Sequence, residues 1–214
     1  MTRTTAARRA QMVQRDIVAR GVRDPRVLDA IGCVPRERFV PPELVEFAYG
    51  DRPLPIGSGQ TISQPFIVAL MTEALELGPD DRVLEIGAGS GYGAAVLARV
   101  AAEVWTIERH APLAEEARRV LADLGVTNVH VLTGDGTMGW PSAAPFDGIV
   151  VTAGGPDAPM ALLEQLVEGG RLVIPVGAEM SGQRLVRFRR RGTGYVEDDL
   201  GPVQFVPLIG EQGW

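Results

Sequence analysis

The run Val83-Leu84-Glu85-Ile86-Gly87-Ala88-Gly89-Ser90-Gly91-Tyr92-Gly93 decides how this chain folds. A short apolar strand, Arg82 to Ile86, passes directly into glycines, which permit a tight turn and let a ligand approach the backbone closely. A helix expected over Ala94 to Val100 follows, and the first N–H groups of a helix have no partner within it. Downstream, Glu103 to Ile107, Asn128 to Leu132, Phe146 to Val151 and Arg171 to Val176 read as further strands. Between them, Pro112 to Leu124 places Leu113, Ala117, Val120, Leu121 and Leu124 on one helical side, and Met160 to Val167 is also helical. Short β runs alternating with helices predict an α/β, doubly wound, mainly parallel sheet covered on both faces. Beyond Gly177 the helical patterns cease. Gln183 to Arg189, Gly194 to Glu197 and Val203 to Pro207 read as closing strands, with at least one antiparallel pairing.

Upstream of the glycines, Ala10, Val13 and Ile17 recur at helical spacing within Ala6 to Ala19, and Gly21 stops the pattern. Asp24-Pro25 reads as an N-cap followed by proline at the first helical position. The stretch Tyr49 to Gln64 is too rich in Pro and Gly for a regular element, yet it is crowded with hydroxyl and amide groups. Such a composition suits a loop folded over a ligand. Ser63 is placed to cap a helix starting at Pro65. The expected organisation is a helical and loop extension over residues 1–78, packed on a core over residues 79–214.

Which ligand the glycine turn serves is a matter of elimination. A Walker-type phosphate loop needs Gly-Lys-Ser/Thr, and no lysine is present here. A dinucleotide fingerprint starting at Gly87 would place its third glycine on Tyr92; started at Gly89 it runs two residues late. Acids stand instead at successive strand ends: Glu85 before the turn, Glu108 after the second strand, and Asp135 in Gly134-Asp135-Gly136. Glu108 is where a ribose diol would be held, and Asp135 can accept from an adenine amino group. Each acid has an ordinary reading of its own: Glu85 as a cap for loop amides, Glu108 as a surface residue, Asp135 as a turn former. Together they suit a ligand bearing an ammonium and a sulfonium, which points to S-adenosylmethionine.

Bulk properties narrow the class. The 214 residues carry a formal net charge of −6, which does not suit non-specific duplex binding, so no nucleic-acid partner is expected. The one basic run, Arg187 with Arg189 to Arg191, reads as an outer strand entering a turn or as a groove for an acidic partner. Cys33 is the sole cysteine, so no intrachain disulfide can form, and no apolar run reaches the length of a membrane span. A cytoplasmic enzyme or binding protein is expected. The two histidines, His110 and His130, form no metal-ligand pattern, so no metal is expected. Methyl transfer from a sulfonium needs an aligned nucleophile and little else. A carboxylate acceptor is already ionised at neutral pH (ordinary pKa about 4) and needs no base.

Several blocks resemble the protein-L-isoaspartate O-methyltransferase family: Val34 to Val40, Pro53 to Gly57, Gln60 to Pro65, Val83 to Tyr92, Gly134 to Gly136, Ala144 to Asp147, Val151 to Ala153 and Phe205 to Leu208. The resemblance covers nearly the whole chain and implies a Rossmann-like class I methyltransferase with antiparallel C-terminal strands. It implies transfer of a methyl group from S-adenosyl-L-methionine, leaving S-adenosyl-L-homocysteine, to the α-carboxylate of L-isoaspartyl residues in damaged proteins, and a monomeric enzyme. It assigns Ser63 as the active-site residue, orienting the carboxylate. The implied cofactor set is Thr61, Glu85, Gly87, Gly89, Ser90, Glu108, Arg109, Asp135, Gly136 and Thr152. The implied substrate set is Pro55, Ile56, Gly57, Ser63, Val206, Pro207 and Leu208. Two departures stand out: Ala88 where threonine is common, and Gly154 where alanine is usual, the latter expected to free the loop beside the site. On residues alone, a carboxyl methyltransferase for a dedicated peptide or small acid, or a non-catalytic cofactor- or peptide-binding protein, stays open.

Overall fold

In the computed structural model, residues 4–178 and 182–214 are described. Helix α1 (Thr5–Met12) winds on through a π turn and a 3-10 turn to Arg20, where Gly21 at φ 104° ends it. Helix α2 (Pro25–Cys33) is capped as expected, with the Asp24 side chain accepting from Arg26 N. The Pro- and Gly-rich stretch corrects the sequence reading: it contains a hairpin, β1 (Leu54–Gly57) and β2 (Gln60–Ile62). Its turn residues Ser58 and Gly59 both have positive φ (49° and 69°), the twist that a two-residue hairpin loop requires. Leu54 and Ile62, paired across it, are both buried.

Helix α3 (Pro65–Ala74) is followed by the alternating core: β3 (Arg82–Ile86), α4 (Tyr92–Leu97), β4 (Glu103–Glu108), α5 (Ala111–Asp123), β5 (Val129–Thr133), β6 (Phe146–Val151), α6 (Met160–Glu164), β7 (Leu166–Val176), β8 (Gln183–Arg191) and β9 (Gly194–Val203). The main sheet runs β5-β4-β3-β6-β7-β8-β9; the first five are parallel neighbours, and β8 and β9 are added antiparallel. The doubly wound, mainly parallel fold is therefore as the sequence predicts. Alternate β3 residues feed opposite faces: Val83 joins the core under α3 and α4, and Leu84 the core under α6.

Several details differ from expectation, among them β9, which runs on to Val203. Residues 166 and 167 belong to β7 rather than to the preceding helix, because β6 already pairs Phe146 with Leu166. Residues 204–207 form no separate strand; they hang on Gly154, whose N–H donates to Val206 O at 2.8 Å and whose carbonyl accepts from Leu208 N at 2.8 Å. Ser63 does not cap α3. Asp51 reaches across from the preceding turn, and its Oδ1 accepts from Phe66 N at 3.0 Å. The arginine run follows its plainer reading: Arg187 pairs with Asp198 on β9 and with Glu76, and Arg189 with Glu76.

Candidate active site

The sheet reverses its winding at β3, whose neighbours are β4 on one side and β6 on the other. In open α/β sheets such a switch leaves a crevice at the carboxyl ends of the strands. The glycine turn follows β3 there, Glu108 ends β4, and Thr152 follows β6. Thr152 Oγ1 donates to Gly87 O at 2.8 Å, closing the turn. A Cβ on Gly87 would lie 2.3 Å from that oxygen, so the clamp itself demands glycine.

The crevice is lined by Gln60, Thr61, Gly87, Gly89, Glu108, Arg109, His110, Gly136, Thr152 and residues 206–209. Glu108 is buried, and its carboxylate is held in place: Oε2 accepts from Gly89 N and Oε1 from His110 N, each at 2.8 Å. Each oxygen retains a lone pair for a further donor, which is what a vicinal diol would need. Glu85 lies deeper. It lines a narrow adjoining cavity with Ser63, Ser90 and Thr152, and its Oε2 accepts from Thr106 Oγ1 at 2.6 Å. Burial pushes its carboxyl up to about 8; the Thr106 hydrogen bond opposes the shift and the nearby Glu108 charge adds to it.

A second cleft adjoins the first, lined by Arg20, Pro53, Thr61, Ser63, Gln64, Ile67, Thr152 and residues 202–206. Thr61, Thr152 and Val206 line both and form the junction. Ser63 is half-buried here, and among the described residues its hydroxyl makes no hydrogen bond.

Not every expected residue lines these clefts. Asp135 is turned away from the crevice: its Oδ1 accepts from Thr137 N and Oγ1, and its Oδ2 from Glu211 N, all at 2.8 Å. Desolvation raises its pKa, but these hydrogen bonds and the Arg109 charge hold it below the usual carboxylate range. Pro207 and Leu208, expected on the acceptor side, line the crevice with Glu108 instead, while Val206 serves both. Pro55, Ile56 and Gly57 lie on the hairpin outside both linings; the tip of Ile56 approaches Gly89, 3.1 Å from where a Cβ would stand. Gly154 does not loosen its loop. A Cβ there would lie 2.4 Å from Gln183 Nε2, and buried Gln183 grips Phe205 through both its N–H and its carbonyl. Sequence reading missed Arg20, Asp51 and Gln183, which come from segments far from the glycine turn and carry no motif, and gave Gln64 no role although it lies in the Gln60 to Pro65 block.

The family model for protein-L-isoaspartate(D-aspartate) O-methyltransferase matches residues 7–213. The chain belongs to that family. It is 60% identical over 210 residues to protein-L-isoaspartate O-methyltransferase 1 of Rhodopseudomonas palustris, covering 98% of this chain and 86% of the relative. It is 58% identical over 208 residues to protein-L-isoaspartate O-methyltransferase 2 of Pelobacter propionicus, covering 97% and 92%. Among solved structures, a protein-L-isoaspartate O-methyltransferase superposes with a TM-score of 0.87 at 31% identity, covering 97% of this chain and 67% of the other. A putative isoaspartate methyltransferase from Plasmodium falciparum, in complex with S-adenosyl-L-homocysteine, gives a TM-score of 0.80 at 25% identity, covering 94% and 98%.

Proposed function

We infer that this chain is an S-adenosylmethionine-dependent protein carboxyl O-methyltransferase. It esterifies the α-carboxylate of L-isoaspartyl residues in damaged peptides and proteins and so starts their repair through a succinimide. The observation that carries the reading is the pair of clefts meeting at Thr61, Thr152 and Val206, one anchored by Glu108 and the other by the unengaged Ser63 hydroxyl.

The residues present fit the cofactor. Glu108 offers the bidentate acceptor for a ribose, Gly87 and Gly89 give backbone access, and Glu85 lies beneath them as a buried carboxyl that a cationic ligand would help to ionise. Arg109, Gly136, Thr61 and Thr152 complete this wall; Ser90 lies beside Glu85, and Asp135 supports it from behind. S-adenosylmethionine, when bound, supplies a methyl group on a sulfonium, open to displacement by a carboxylate oxygen. The chain's own part is alignment and desolvation. Ser63 Oγ donates to one oxygen of the acceptor and leaves the other free. Ile67, Phe205 and Val206 shed water from it. Among the described residues, no Asp, Glu, His or Lys lines the acceptor cleft, and a carboxylate acceptor needs no base.

Monomeric action in the cytoplasm on peptide and protein substrates, without nucleic acid or membrane, belongs to the same reading. No helix among the described residues is long and apolar enough to cross a membrane. The test is transfer from labelled S-adenosylmethionine to matched isoaspartyl and aspartyl peptides. Selective labelling of the isoaspartyl form is expected; equal labelling of both, or of neither while other acids are methylated, would overturn the assignment.

A further inference from the structure

Among the described residues, Arg20 is the only charged one lining the acceptor cleft. It ends the N-terminal helical stretch, and its guanidinium carbon lies 3.4 Å from the centre of the Phe66 ring. Nη1 donates to Asp51 Oδ2 at 2.8 Å. That carboxylate is also committed to Gln64 Nε2 at 2.6 Å and to Phe66 N at 3.0 Å, so its charge is shared among three donors. Among the described residues, Nε and Nη2 of Arg20 carry no hydrogen bond, and the side chain is 45% exposed. The result is a permanently charged, flat donor, stacked on a ring, with one edge facing the cleft.

Its position rules out a grip on the reacting carboxylate. The acceptor must lie at the junction with the cofactor crevice, where Thr61, Thr152 and Val206 line both spaces. Arg20 and Gln64 line only the acceptor cleft, whereas Ser63 also lines the narrow cavity with Glu85, Gly87 and Thr152. A cation held against the reacting oxygen would also blunt it as a nucleophile. A second negative group, further along the bound peptide, is what this position can serve.

We propose that Arg20 forms a carboxylate-binding subsite at the outer end of the acceptor cleft and selects isoaspartyl substrates that carry a second carboxylate nearby along the peptide. The proposal rests on the isoaspartyl reading above. The second carboxylate has two sources, an acidic side chain flanking the isoaspartyl residue or the free C-terminus of a short peptide.

Three isoaspartyl peptides separate the sources: one with a flanking Gln and an amidated end, one with Glu in place of that Gln, and one with the Gln and a free end. The wild-type protein is expected to show kcat/KM about three- to fivefold higher for at least one charged peptide than for the neutral one, the scale of a partly exposed ion pair. The arm that responds identifies the source. In Arg20→Gln the ratio falls to about one, whatever happens to the absolute rates, and Arg20→Lys keeps it above one. A wild-type ratio of one in both arms, or a ratio that survives in Arg20→Gln, would overturn the subsite. Failure of the wild type to methylate any of the three would overturn the repair assignment and the subsite with it.

Discussion

Burial of Glu85 beneath the glycine turn, where its nearest charge is another acid, pushes its carboxyl up to about 8. An ordinary carboxyl ionises near pH 4.5, so between those values the unfolded chain releases a proton that the folded one keeps. Stability from this group is therefore complete below about pH 4.5 and is lost as pH rises towards 8, by at most roughly 1.4 kcal/mol per pH unit. Glu85→Gln keeps an acceptor for Thr106 and removes the titration. In urea unfolding, the stability of the variant relative to wild type should rise between pH 5 and pH 8.5; a constant difference would refute the shift. Ser63 makes the complementary case. With its hydroxyl unengaged, Ser63→Ala removes nothing the fold uses. The proposed bond to a charged acceptor is of the kind that contributes about 1.5–3 kcal/mol, so kcat/KM should fall about 10- to 100-fold. S-adenosylmethionine affinity by calorimetry should change far less; a large loss of affinity with unchanged turnover at saturation would remove Ser63 from the acceptor side.

Elements were legible in the sequence wherever hydrophobic period and turn chemistry agreed. β3 and β6 match their expected ends because each is a buried apolar run bounded by turn residues. The hairpin was not legible: β1 and β2 are very short, and the prolines within and beside β1 mask the pairing of Leu54 with Ile62. Gly154 misled for a different reason. A glycine reads as freedom in a sequence, but here it makes room for Gln183, which holds the wall of the acceptor cleft through Phe205. Gly154→Ala, although it installs the residue usual in the family, must displace a buried, doubly bonded amide. A loss of about 1–3 kcal/mol is expected in urea unfolding, typical of overpacking, together with a raised KM for the isoaspartyl peptide. An alanine variant as stable and as active as wild type would show that Gln183 can move freely.

Across the whole molecule, one wall of both clefts comes from the segment that follows the last strand of the sheet. The strand ends and their acids were readable because they sit beside the glycines in sequence. The closing segment was legible through the resemblance of Phe205 to Leu208, but its hydrogen-bond partners were not, since they are chosen by topology. After β9 the chain returns to the β6 loop, then crosses to the turn after β5. Leu208 N and Trp214 Nε1 both donate to Gly154 O, at 2.8 Å and 3.1 Å. Glu211 N donates to Asp135 and Gln212 N to Thr137 Oγ1. These residues thus tie together two loops that line the crevice on either side of β3; of them only Leu208 belongs to a hydrophobic core. Removing residues 211–214 breaks the ties made by Glu211, Gln212 and Trp214, keeps the one from Leu208 and leaves the sheet intact. Each such bond contributes about 1 kcal/mol, and only part of that loss is transmitted to the ligand. S-adenosylmethionine affinity is accordingly expected to weaken about tenfold by calorimetry, with the unfolding transition still cooperative and only modestly lowered. Wild-type affinity in the truncated chain would mean that Asp135 and Gly154 hold their loops without help, and that the crevice is shaped by the strand ends alone.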